Sequence, residues 1–127
     1  MNIPLYSLLA AGLLMTTAVG STPQPNDRDW NFTVYLDDDP VGRHRFTLTE
    51  TEAMRKLRSE ARFTVKVLMI EAYRYAHESN ENWQGDCLAT IDARTDDNGD
   101  QSSVQGNARD GRFELKNGVR AETLPAC

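Results

Sequence analysis

The residues best equipped for chemistry in this 127-residue chain fall in one run, "YRYAHESNENW", residues 73 to 83. On a helix, His77, Glu78 and Glu81 would approach the H-E-x-x-H zinc pattern, whose two imidazoles need i, i+4 spacing to reach one metal. Position 81 is Glu and the only other histidine is His44, so the run specifies no metal site, and no cofactor is expected. On a strand the same residues sort differently. Tyr73, Tyr75, His77, Ser79, Glu81 and Trp83 point to one face, and Arg74, Ala76, Glu78, Asn80 and Asn82 to the other. A face mixing aromatics with a titratable His and Glu suits a polar-lined pocket inside a curved sheet. Tyr73, Tyr75, His77, Glu81 and Trp83 are then the ligand-binding candidates, and His77 with Glu81 the candidate acid and base, two pleats apart on one face. The plainer reading gives His77 and Glu81 structural hydrogen bonds among ordinary core or rim aromatics.

Other motifs carry less. "DARTDDNGD" resembles a calcium loop, but setting Gly99 at loop position six puts Arg94 at position one and Gln105 at position twelve, where an EF-hand needs Asp and Glu. A hairpin turn explains it better. Asp37, Asp38 and Asp39 read as a solvated turn before they read as a cation site. There is no G-x-S-x-G, P-loop, C-x-x-C or G-x-G-x-x-G, so the standard hydrolase, nucleotide and redox signatures are absent.

The elements that must position these residues are strands. Trp30, Phe32, Val34 and Leu36 alternate with Asn31, Thr33, Tyr35 and Asp37, "DDDPVG" interrupts, and His44, Phe46 and Leu48 resume the alternation. Met54, Leu57 and Ala61 also fit a helical spacing. Downstream, however, Leu57, Ala61, Phe63, Val65 and Val67 share one parity and Arg58, Glu60, Arg62, Thr64 and Lys66 the other, which describes a long half-buried strand. "VLMIEAY" lacks Gly, Pro and Asn, and is expected to be a bend in a continuous strand or a short helical turn. Asn98-Gly99 in "DDNGD", and "KNG" between "RFEL" and "VRAE", supply hairpin turns. Strands this short with turns this frequent predict an all-β antiparallel meander forming a curved sheet, a half-barrel or a lipocalin-like barrel, closed or incomplete.

The first 20 residues carry no charged side chain and an apolar run ending in small residues, the pattern of a secretory signal cleaved after Gly20. Leu8 to Val19 is shorter than the roughly 20 apolar residues of a bilayer span, so no membrane span is expected in the mature chain. The expected organisation is a signal peptide over 1–20, a flexible polar lead-in over 21–28 and one β domain over 29–127, in a periplasmic or secreted protein. A domain of that size has a modest core. Pairing Cys87 with Cys127 in an oxidising compartment would add roughly 3–4 kcal/mol in the chain-entropy model. The net charge of -5, with 26% charged residues of both signs interspersed, argues against a nucleic-acid partner, which a basic stripe would announce. With 39% hydrophobic residues and a mean hydropathy of -0.57, the composition is that of a soluble globular domain.

"DWNFTVYLDDDPVGRHRFTL", "SEARFTVKVL", "YRYAHESNENW", "CLATIDARTDDNG" and the terminal "LPAC" together resemble a family of uncharacterised exported bacterial proteins built on a domain of unknown function. The resemblance implies a β-rich exported protein and brings no activity with it. It marks His44, Tyr75, His77, Glu81, Trp83, Cys87, Asp92 and Thr95 as the recurring positions, and implies that the chain lacks the family's C-terminal part. The leading functional expectation is a non-enzymatic module binding a lipid or other small amphipathic envelope ligand. The alternatives are an envelope hydrolase or isomerase using His77 and Glu81, and a structural or partner-binding protein.

Overall fold

A computed structural model describes residues 26–127. The expected signal peptide, and the lead-in as far as residue 25, lie outside the described residues. The remainder is eight strands: β1 (Asn26–Leu36), β2 (Asp39–Glu50), β3 (Arg55–Val67), β4 (Ile70–Gln84), β5 (Cys87–Asp97), β6 (Asp100–Arg109), β7 (Arg112–Asn117) and β8 (Arg120–Pro125). They form one antiparallel sheet in sequence order, with no helix among the described residues. The expected meander is the fold. The barrel option is not realised, because β1 and β8 remain the two edges of an open sheet.

Register follows the apolar parity. Trp30 pairs with Phe46 and Phe32 with His44. His44 pairs with Ala61 and Leu48 with Leu57. Ala61 then pairs with His77, and Phe63 with Tyr75. Because successive side chains alternate across a strand, these pairs fall on one face, called apolar below, and the Arg, Asp, Glu and Asn residues between them on the other. The core lies on the apolar face and is thin. Ala61, Ala93 and Phe113 are its buried hydrophobic members, with Ser59 and Ser79 buried beside them, and no large side chain is fully buried. Small residues can be buried in a single layer because longer neighbours lean over them. Phe113 is buried for a complementary reason: it lies over Gly106, where an added Cβ would come within 2.4 Å of its ring. Gly42 similarly lets β2 approach β3, since a Cβ there would stand 2.0 Å from the Arg62 carbonyl oxygen.

Three details depart from the sequence reading. First, β1 begins at Asn26, inside the expected lead-in, because Arg28 pairs across from Leu48, bonds Glu50 and stands 5.8 Å over the Trp30 ring. Second, the turn after β1 is only Asp37-Asp38, and Pro40 lies within β2, where the register shifts beside Val34 and Tyr35. Third, "VLMIEAY" is neither a bend nor a helical turn. The chain reverses at Leu68-Met69, with φ of 51° and 69°. Asn98-Gly99 and Asp110-Gly111 turn with the same two positive φ angles, using the residues such turns favour.

Cys87 and Cys127 form a disulfide with Cα atoms 5.4 Å apart. β5 and β8 are three strand spacings apart, about 14 Å in a flat sheet. The tail therefore crosses the ends of β6 and β7, and Ala126 N–H donates to the Gly111 carbonyl (3.2 Å) on the way.

Candidate functional site

The five candidate ligand-binding residues are all on β4, and the register places them on the apolar face. Their partners come from neighbouring strands. The Phe63 and Tyr75 rings stack with centroids 5.3 Å apart and planes 9° from parallel, and the His77 ring continues the stack 6.4 Å from Tyr75. His77 Nδ1 hydrogen-bonds Thr95 Oγ1 on β5 at 2.9 Å. Glu81 accepts from the Trp83 indole N–H at 2.9 Å. Residues four apart in a strand are about 13 Å apart along the chain, so the imidazole and the carboxylate serve separate partners. At the end of the row, Tyr73 donates its hydroxyl to Asp97 (2.7 Å), and that bond to a carboxylate raises the Tyr73 pKa above the ordinary tyrosine value.

On the β2 side, His44 Nε2 lies 2.8 Å from the Oγ of buried Ser59, with the imidazole against Phe46 at 4.1 Å between centroids. A serine hydroxyl in reach of an imidazole is half of a nucleophile-and-base arrangement. Among the described residues no carboxylate bonds His44 to orient it, so the pair stands as a hydrogen bond between neighbouring strands.

Near the turns joining β2 to β3 and β4 to β5, the apolar face sinks into a cleft of about 390 Å³ lined by Trp30, Leu48, Arg55, Leu57, Trp83 and Asp86. Its floor is mostly hydrocarbon and indole. Arg55 stands at its edge, donating to the Gly85 carbonyl and to Asp86 at 3.3 Å. Of these residues only Trp83 was a candidate from sequence. Trp30, Leu48 and Leu57 sit on three other strands, and the only sequence signal for them was their parity.

The polar face holds ion pairs and a shallow cleft of about 430 Å³ lined by Arg62, Glu78, Arg94, Asp96, Gln101 and Ser103. Asp29 accepts from Thr47 (2.6 Å) and Arg45 (3.0 Å), and these bonds hold its carboxyl below the usual carboxylate range. Arg58 bridges Glu60 and Glu78, each at 3.0 Å, which lowers the Glu60 pKa and raises that of Arg58. The Asp29 contacts tie β1 to β2, and Arg58–Glu78 ties β3 to β4. Asp92 also lies on this face, 3.8 Å from Arg94. Among the described residues no three His, Cys, Asp or Glu side chains converge on a metal position.

A family described as a domain of unknown function (DUF6134) matches residues 32–127, from the middle of β1 to the last cysteine. The chain belongs to this family. The family domain thus takes in the second half of β1, all of β2 to β8, the five β4 candidates and both cysteines. No curated protein and no solved structure matches the chain.

Proposed function

We propose that the protein is an exported binding module that holds an amphiphile with an acyl chain against the apolar face of its sheet. One observation carries the reading. A face bearing Trp30, Phe46, Leu57, Phe63, Tyr75 and Trp83 has no second layer over it among the described residues, although sheets bury their apolar faces against something. The cleft between Trp30 and Trp83 is an apolar hollow on that face and takes the chain end of the ligand. Arg55 at its edge takes an anionic headgroup in place of Asp86. The disulfide suits an oxidising compartment, which supports export.

The acid-and-base alternative gains less from the geometry, since His77 and Glu81 are engaged with Thr95 and Trp83 respectively. Two measurements test the binder. Native mass spectrometry of protein recovered from the periplasm is expected to show a co-purifying lipid. Titration of delipidated protein with sodium palmitate is expected to change indole fluorescence saturably, and Trp83→Ala to weaken binding by about tenfold, or roughly 1.4 kcal/mol. A bare chain whose fluorescence does not respond to palmitate would overturn the reading.

A further inference from the structure

The two edges of the open sheet are built differently. β8 is short, six residues, and ends in Pro125. Its register places Glu122 opposite Leu115 and Arg120 opposite Asn117, so two charged side chains sit on the apolar face at that edge. Shortness, proline and inward-pointing charge are the devices by which edge strands resist pairing with another chain. β1 is neither short nor interrupted by proline, and its one charge on the apolar face is Arg28, opposite Leu48. It runs for 11 residues with no proline or glycine, and its charges are confined to Asp27, Arg28 and Asp29. From Trp30 to Val34 it is uncharged, with Trp30 40% and Phe32 53% exposed on the apolar face. Among the described residues nothing pairs with its outer edge.

We propose that β1 is a self-association edge, pairing antiparallel with β1 of a second copy about a two-fold axis at Asn31. Asn31 is the midpoint of the strand, so this register uses its whole length. It sets Trp30 of each copy opposite Phe32 of the other, Arg28 opposite Val34, Asp29 opposite Thr33 and Asp27 opposite Tyr35. Aromatic cross-strand pairs are stabilising, and no like charges face each other. An axis at Asp29 would oppose the two Asp29 carboxylates and leave four of the 11 residues, 33–36, unpaired. A two-fold contact of one strand with itself closes at two copies, whereas β1 against β8 would propagate head to tail. The guarded β8 edge blocks that propagation. The proposal does not depend on a ligand, though it would join two apolar faces into one continuous surface.

Sedimentation velocity of the purified protein tests it, together with two cysteine variants oxidised under mild conditions. The expected results are a concentration-dependent dimer, disulfide cross-linking of Asn31→Cys across the axis, and no cross-linking of Thr123→Cys on β8. Phe32→Lys is expected to abolish the dimer while the far-ultraviolet β signal and the native disulfide persist. A protein monomeric at every concentration overturns the proposal, as does a dimer that cross-links through Thr123→Cys and not through Asn31→Cys.

Discussion

At the scale of single residues, the thinness of the core gives a few contacts unusual weight. Phe113 is the one large buried hydrophobic among the described residues, and it depends on the missing side chain of Gly106. An aromatic ring covering a strand glycine is a recognised device for holding sheet register. Gly106→Val places methyl groups where the ring lies, and is expected to destabilise the fold by about 1–3 kcal/mol, as overpacking generally does. Urea unfolding checks this. If the ring is the cause, the same substitution costs less in a Phe113→Ala background. An equal cost in both backgrounds would mean that the ring is not the cause. Hydrogen bonds such as His77 to Thr95 and His44 to Ser59 play a related part. They satisfy polar atoms on a largely apolar surface and tie β4 to β5 and β2 to β3.

At the scale of elements, the turn between β3 and β4 is out of keeping with its neighbours. Leu68 and Met69 take positive φ angles, a conformation costing about 1–2 kcal/mol per ordinary residue, and they are 91% and 89% exposed. Asn98-Gly99 in the same sheet shows the relaxed solution. There the Asn98 side chain also accepts from the Arg74 N–H at 3.3 Å, and the Asp96 side chain accepts from the Gly99 N–H at 2.8 Å. Replacing Leu68-Met69 with Asn-Gly is expected to raise stability by about 1–2 kcal/mol, read as a higher urea midpoint at unchanged slope. An unchanged or lower midpoint would show that the hairpin tip is already relaxed. The tip adds exposed apolar surface without packing inside the described chain.

At the scale of the whole molecule, the open sheet makes the covalent restraint important. The Cys87–Cys127 bond spans 40 residues and encloses β5 to β8. Cys127→Ser is expected to lower stability by about 3–4 kcal/mol in the chain-entropy model, and hydrogen exchange is expected to show β8 losing protection before β3 and β4. Equal urea midpoints with and without the bond would remove it as a major source of stability. The central strands have other support. β3 and β4 are the longest, at 13 and 15 residues, and between them carry Ala61, Ser59 and Ser79 in the buried part of the face. Their register therefore anchors the row from Tyr73 to Trp83 on which the proposed ligand lies.

The amino-acid sequence on its own settled the strand class and the parity of β1 to β4, and made Cys87 and Cys127 the one available intrachain pair. Period-two alternation is local and can be read from neighbours such as Phe63, Val65 and Lys66, and two cysteines admit one intrachain bond. It also placed Tyr73, Tyr75, His77, Glu81 and Trp83 on one face. What that face meets depends on the assembled sheet. The cleft brings together side chains from β1, β2, β3 and β4 and the turn after β4, and Trp30 reaches Trp83 only because three successive registers add up. The Leu68-Met69 reversal carried no turn residue to announce it, because strand pairing on either side imposed it against local preference. Closure was equally hidden, since whether a sheet meets its own edge depends on twist and shear accumulated over all its strands, and no single residue encodes that sum.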